Sequence, residues 1–266
     1  MNKSSTKPRG RPPSRGIDRL RGQIMVSVVM AKLGVPTVYA LTRVLFPEHP
    51  AKSTEMETIE RTWRRYAADG VLPSVKFVNS QSASRAEAKA PGCLRCLSSP
   101  AWEILKDRDI ERLPLLYALH DLGPHIAALL FDPDLPRWED EPQLREFNAE
   151  IQSGLEELTG FEAIEVFVLL AAYARAIQSE ALGNAVTFTY MERRPALSED
   201  PELTTHFREL FTAVDRHMPV WMRTSSTNRF DVLLPWQGQM PDKAISDPDQ
   251  PPTLLELAMI AANWKD

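Results

Sequence analysis

The sequence has little of what several classes of protein require. Two cysteines in 266 residues are too few for a disulfide framework. The chain has only eleven glycines and contains no glycine-rich phosphate loop. It also lacks the catalytic motifs Gly-x-Ser-x-Gly and His-Glu-x-x-His. The longest apolar run, residues 166–174, is too short to cross a bilayer and indicates a buried helix. No apolar stretch follows the basic first residues, as a signal peptide would require. We therefore expect a cytoplasmic protein that is not an enzyme, holds no metal or cofactor and contacts no membrane.

Charge is divided unevenly along the chain. Residues 1–90 carry sixteen Lys or Arg and seven Asp or Glu, a balance of +9, whereas the remainder carries fifteen against twenty-nine, a balance of −14. Such asymmetry favours a protein whose basic N-terminal part binds a polyanion and whose remainder is acidic. The alternative is that the asymmetry arises by chance and serves only solubility.

Hydrophobic periodicity predicts a mainly α-helical chain with at most a short β-ribbon. An amphipathic helix begins at Ile17 and stops near Gly34, and Thr37 caps a second helix that runs to Leu45. Thr54 and Glu57 form a capping box for a third helix, to Asp69. Alternation at residues 186–190 predicts a short strand that could pair with residues 230–234. Further helices are expected around residues 100–107, 111–122, 142–158, 161–180 and 201–216, the last with Pro201 in its first turn, and a final helix from Thr253.

These patterns divide the chain into four segments. Residues 1–16 contain almost nothing apolar, and we expect a disordered basic arm. Residues 17–82 form a helical module that contacts DNA. Residues 83–92 are small and polar and end in Pro-Gly, which is typical of a linker. Residues 93–266 form an acidic helical body of unknown role, which could form a homodimer or bind a protein partner.

The basic arm contains the string Lys7-Pro8-Arg9-Gly10-Arg11-Pro12-Pro13. It resembles the AT-hook, a minor-groove-binding motif built on Pro-Arg-Gly-Arg-Pro. The resemblance implies that Arg9 and Arg11 enter the narrow, negative minor groove of A·T-rich DNA. Gly10 would let the backbone approach the groove floor, while Pro12 would keep the chain extended. The remaining cations of the arm would meet phosphates: Lys3, Lys7 and Arg15. The alternative is a generic basic tail that adds only solubility or weak attraction.

Residues 63–74, with the sequence WRRYAADGVLPS, resemble the end of the helix-turn-helix unit of repressor-like regulators. The resemblance covers residues 17–78 and implies that Arg61, Arg64 and Arg65 face outward, where they can reach guanine edges or phosphates in a major groove. The connection at residues 46–53 departs from this pattern because it is longer than the usual tight turn. Alternatively, glutamates four residues before Arg61 and Arg64 form ion pairs on an ordinary solvated face.

The combined expectation is a protein that binds double-stranded DNA with a preference for A·T-rich sequence. It would be a bacterial transcriptional regulator or a mobile-element accessory protein, associated with the nucleoid. One alternative is a protein–protein adaptor whose basic arm binds an acidic partner or RNA. Another is a metal phosphohydrolase of the HD type, suggested by His120-Asp121. Cys93 and Cys96 with His120 and His125 have zinc-ligand spacing within each pair, but the apolar residues between the pairs favour plain reduced thiols.

Overall fold

The computed structural model describes residues 16–50, 52–69, 71, 80–132 and 141–218. Within these ranges the chain forms eleven α-helices, one 3₁₀ turn and an isolated antiparallel bridge between Phe131 and Leu144. The predicted mainly α-helical fold is confirmed. Residues 1–15, the segment 230–234 and the helix expected from Thr253 lie outside the described residues. None of the helices that are described has the length and apolarity needed to cross a membrane.

The chain divides into two compact units. Among the described residues, the first lies within the ranges 16–102 and 201–206, and the second lies within 103–200 and 207–218. The segment 83–92 lies inside the first unit.

The first unit is built on three helices that pack together. They are α1 (Ile17–Lys32), α2 (Val38–Leu45) and α3 (Thr54–Asp69). Helix α3 packs against both α1 and α2, helix α4 (Gln81–Lys89) packs against α2, and the 3₁₀ turn η1 (Arg95–Leu97) packs against α1. A short helix, α5 (Ala101–Ile104), follows in the sequence.

Local signals fix the ends of α1 and α2. Gly34, just beyond α1, has a φ of 62°, a left-handed conformation that glycine adopts without strain. The hydroxyl of Thr37 accepts a hydrogen bond from the Ala40 amide at 3.1 Å, as the predicted cap requires. Both helix boundaries were therefore correctly predicted from the sequence.

The second unit is centred on a helix buried on nearly all sides. This is α9 (Gly160–Ala176), which packs against α10 (Glu180–Ser198), α11 (Phe207–His217) and α6 (Arg112–His120). Two further helices, α7 (Pro124–Leu130) and α8 (Ala149–Glu157), complete the unit. Every residue of the apolar run 166–174 is buried, as expected for a helical segment that is apolar all round.

The strand predicted at residues 186–190 is wrong, because these residues lie within α10. Val186 and Tyr190 are separated by one helical turn, and both side chains are fully buried. The buried Thr189 hydroxyl donates to the Ala185 carbonyl at 3.0 Å. An alternation of five residues thus also fits a helix face, and packing in the core overrides the β-propensity of Val, Thr, Phe and Tyr.

The linker predicted at residues 83–92 is instead largely helix α4. The hydroxyl of Ser80 caps this helix by accepting from the Ala83 amide at 3.3 Å. Ala83 and Ala86 are buried, so these small residues serve close packing and not flexibility.

Two helix starts also differ from prediction. The hydroxyl that caps α3 belongs to Ser53, which accepts from the Met56 amide at 3.2 Å, one residue before the expected Thr54. Residues 201–206 form turns, and α11 begins only at Phe207. Both errors are shifts of helix ends, the part of a helix that pattern reasoning locates least well.

Candidate nucleic-acid interface

Burial of one side of α3 fixes which residues the helix presents outward. Met56 and Trp63 are fully buried and Tyr66 is nearly so, and the rings of Trp63 and Tyr66 meet edge to face with centroids 6.3 Å apart. The opposite side carries three exposed arginines, which we call the arginine face: Arg61, Arg64 and Arg65. An open depression along this face is also lined by Glu57, Glu60, Ala68 and Asp69.

The three arginines differ in their ion pairs. Arg64 pairs with Glu60 one turn earlier, as the spacing predicts. Within the described part of the chain, Arg61 and Arg65 form no ion pair with a carboxylate, although Glu57 stands four residues before Arg61. Their guanidinium groups therefore keep donors directed at solvent, available to an external acceptor such as a phosphate.

The charge of α3 as a whole is not positive. The helix carries four carboxylates, of Glu55, Glu57, Glu60 and Asp69, against the three arginines. Phosphate attraction by α3 alone is therefore weak, and a strong electrostatic contribution to DNA binding has to come from elsewhere in the basic N-terminal third.

Several other arginines of the first unit hold the fold together. Arg21 donates to the Leu97 carbonyl, Arg43 donates to the His49 carbonyl at 2.7 Å, and Arg85 donates to the Leu45 carbonyl at 2.9 Å. Their charge contributes to the +9 balance of the first 90 residues, but each of them donates to a backbone carbonyl and so is held against the fold. The balance thus overstates the surface that is free to bind a polyanion.

Helix α1, which follows the arm in the sequence, contacts the C-terminal end of α3. The Gln23 side chain of α1 donates to the Ala68 carbonyl at 3.4 Å, and Gly16 lies seven residues before Gln23, about 10 Å along a helix. The DNA-contacting residues predicted in the arm lie outside the described residues: Lys7, Arg9, Gly10, Arg11, Pro12 and Arg15. The first described residue before them, Gly16, belongs to the first unit, as does the helix that carries the arginine face.

The residues considered for zinc or HD-type chemistry all lie in the described part of the chain. Cys93 and Cys96 are buried thiols in the first unit, whereas His120 and His125 belong to the second. His120 contacts only the adjacent Asp121, at 3.4 Å, among the described carboxylates. The described ranges contain no group of three or more His, Cys, Asp or Glu placed to hold a metal ion.

The chemistry of Cys93 also argues against a reactive thiol. Burial and the neighbouring Glu87 carboxylate raise the pKa of Cys93 to about 12, and its Sγ lies 3.7 Å from Glu87 Oε2. The protonated thiol is a poor nucleophile and a poor metal ligand. Glu87 also accepts hydrogen bonds from the amides of Gly92 and Leu94, so its role is to hold this turn.

A polar network in the second unit was not predicted from the sequence. The Tyr190 hydroxyl donates to Asp215 Oδ1 at 2.7 Å, and Arg194 donates to Asp215 Oδ2 at 3.4 Å. The Arg194 guanidinium also lies 5.4 Å from the centre of the Phe211 ring. The network joins α10 to α11 across 25 residues of sequence, and periodicity carries no signal for such a pairing.

Comparisons of the chain with protein-family models, curated proteins and solved structures find no match. Function is therefore inferred from the residues and their geometry alone.

Proposed function

We propose that this protein binds double-stranded DNA, with the arginine face of α3 and the N-terminal arm contacting the same duplex. The observation that carries the proposal is the pair Arg61 and Arg65, exposed on a rigidly packed helix with no carboxylate partner among the described residues. A helix of ordinary diameter fits the major groove, where arginine reads guanine or contacts phosphate.

The length of the arm supports contact with a single duplex. Arg11 lies five residues before Gly16, so an extended chain places it at most about 17 Å from that point. One turn of B-DNA spans about 34 Å, so this reach corresponds to about half a turn of the duplex. The arm would supply the electrostatic attraction that α3 lacks, together with a preference for the narrow A·T minor groove.

The acidic remainder of the chain limits where DNA binds. Its balance of −14 repels phosphate, so contact is confined to the basic N-terminal third. Such a division suits a transcriptional regulator or a mobile-element accessory protein whose second unit binds another copy or a protein partner.

Fluorescence anisotropy with A·T-rich and G·C-rich duplexes, at low and physiological salt, tests the proposal. The variant Arg61→Ala/Arg65→Ala should weaken binding to both duplexes and reduce the salt slope by about 2, the loss expected for two phosphate contacts. The matched control removes two exposed arginines from α11, Arg208→Ala/Arg216→Ala, and should bind like the unmodified chain.

The arm is tested separately by deleting residues 1–16 and by Arg9→Ala/Arg11→Ala. Both changes should abolish the preference for A·T-rich duplexes. Absence of binding to any duplex at low salt would overturn the proposal. Binding that ignores A·T content and survives loss of Arg61 and Arg65 would favour the adaptor alternative, in which the arm holds RNA or an acidic protein.

A further inference from the structure

The connection between α2 and α3 is long, and several of its described residues are hydrogen-bonded to one another. It covers residues 46–53, where a helix-turn-helix unit has a tight turn. The His49 amide donates to the Phe46 carbonyl at 3.3 Å, and the Ser53 amide donates to the Pro50 carbonyl at 3.0 Å. Ser53 then caps α3 through the Met56 amide. The path of this loop therefore determines where α3 begins.

A single side chain from α4 holds the first half of this loop. Arg85 Nη1 donates to the Leu45 carbonyl at 2.9 Å and also pairs with the Glu48 carboxylate. The guanidinium lies 4.5 Å from the centre of the Phe46 ring, and Phe46 is only 2% exposed. Arg85 thus makes three different contacts with three residues around the end of α2.

Neighbouring contacts also hold the loop and the helix that carries Arg85. Arg43 donates to the His49 carbonyl at 2.7 Å, which ties the middle of the loop back to α2. A backbone hydrogen bond, together with Arg85, holds the pKa of the Glu48 carboxyl below its ordinary value, so Glu48 stays ionised at neutral pH. Ala83 and Ala86 are buried, and this burial fixes the helix from which Arg85 extends.

We infer that Arg85 is a positioning residue for the arginine face: it fixes the α2–α3 loop and, through the Ser53 cap, the placement of α3. The consequence for DNA binding rests on the proposed function, whereas the loop-holding role does not. Arg85 need not touch DNA for its loss to weaken binding. Lysine cannot replace it, because an ammonium group lacks the planar donor array that serves a carbonyl, a carboxylate and a ring together.

Hydrogen exchange of the free protein tests the loop-holding role without DNA. The informative amides are those of His49, Ser53, Met56 and Glu57, which are hydrogen-bonded within the loop and the first turn of α3. In Arg85→Ala their exchange should accelerate about tenfold or more, as loss of a charged hydrogen bond implies, and Arg85→Lys should show part of this increase.

The control Lys89→Ala removes the same charge from the same helix at an exposed position and should exchange like the unmodified chain. Acceleration across the whole first unit, including α1, would indicate a general stability defect and would overturn the positioning role. Unchanged exchange in Arg85→Ala would also overturn it. If Arg85→Ala fails to fold, Glu48→Gln removes one contact and should accelerate the same amides two- to threefold; no acceleration there would contradict the inference.

Duplex binding of the same variants tests the consequence. We expect Arg85→Ala and Arg85→Lys to bind more weakly, by about tenfold and threefold, with the salt slope of the unmodified chain, because no phosphate contact is lost. Full rescue by Arg85→Lys would show that only the charge matters and would refute positioning. If the unmodified chain binds no duplex, the proposed function fails. The exchange result still decides whether Arg85 holds the α2–α3 loop. If it binds and Arg85→Ala binds equally well, the inference fails and the proposed function stands.

Discussion

Replacing Tyr190 with Phe should destabilise the protein in a way that depends on pH. The change removes one hydroxyl and keeps a ring that packs at 5.7 Å from Phe167 and 6.1 Å from Phe211. Asp215 then loses its short 2.7 Å hydrogen bond and keeps only Arg194, at 3.4 Å. Because a hydrogen bond to a charged group contributes about 1.5–3 kcal/mol, we expect the free energy of unfolding to fall by about 2 kcal/mol at pH 7.5.

The pH dependence follows from the Asp215 carboxyl. Burial raises its pKa, while the Tyr190 hydrogen bond and Arg194 lower it, so Tyr190→Phe should raise that pKa further. A carboxyl whose pKa is raised by folding contributes stability that is fully present below its unfolded pKa and is lost as pH rises through the folded pKa. In the variant, ionisation of Asp215 therefore lowers the free energy of unfolding by a larger amount at pH 7.5. The loss should shrink to about 1 kcal/mol at about pH 3, below the unfolded pKa of an aspartate, where a neutral hydrogen bond is all that is missing.

Urea unfolding followed by far-ultraviolet circular dichroism at the two pH values measures this difference. Tyr117→Phe is the matched control, because Tyr117 is 43% exposed, and it should shift stability by less than about 0.5 kcal/mol. With Asp215→Asn as the second change, a double-mutant cycle isolates the coupling of the two side chains. A Tyr190→Phe loss that is equal at both pH values, or absent at pH 7.5, would refute the reasoning.

Three further predictions concern single features. Ser53→Ala should lower the thermal stability of the protein by about 1 kcal/mol while Thr54→Ala changes it little, since Ser53 is the cap; the reverse order would restore the sequence-based assignment. Burial lowers the pKa of His217 below its ordinary 6.5, so stability present above that pH is lost as pH falls through the lowered pKa. His217→Gln should therefore flatten the decline in unfolding midpoint between pH 7 and 5, and a parallel curve would contradict this. The buried thiols of Cys93 and Cys96 should react with a thiol reagent only after denaturation; rapid labelling of the native protein would show that they are accessible.

Local sequence determined much of the helical framework. The Thr37 hydroxyl caps α2 and so sets where that helix begins. Gly34 ends α1 by adopting a positive φ. The apolar run at residues 166–174 can satisfy its backbone and bury every side chain only as a helix surrounded by others. These signals act within a few residues, which is why they can be read without the fold. The inward position of Trp63 and Tyr66 on α3 was predictable for the same reason.

Tertiary structure decided what the local patterns left ambiguous. A five-residue alternation fits a strand face or a helix face, and only packing against α9 makes residues 186–190 helical. A stretch of small polar residues fits a linker or a closely packed helix, and only the burial of Ala83 and Ala86 makes it α4.

The roles of the arginines likewise depend on the fold. Composition counts Arg43, Arg61, Arg65 and Arg85 alike as cations, although only Arg61 and Arg65 of these four were predicted to face outward. The fold directs Arg43 and Arg85 to backbone carbonyls and leaves Arg61 and Arg65 facing solvent. Composition and spacing determined how much charge the N-terminal third carries. Which of those charges remain free to meet a ligand was decided only by contacts between residues as far as 40 positions apart, because a carbonyl becomes a partner only when folding brings it within hydrogen-bonding distance.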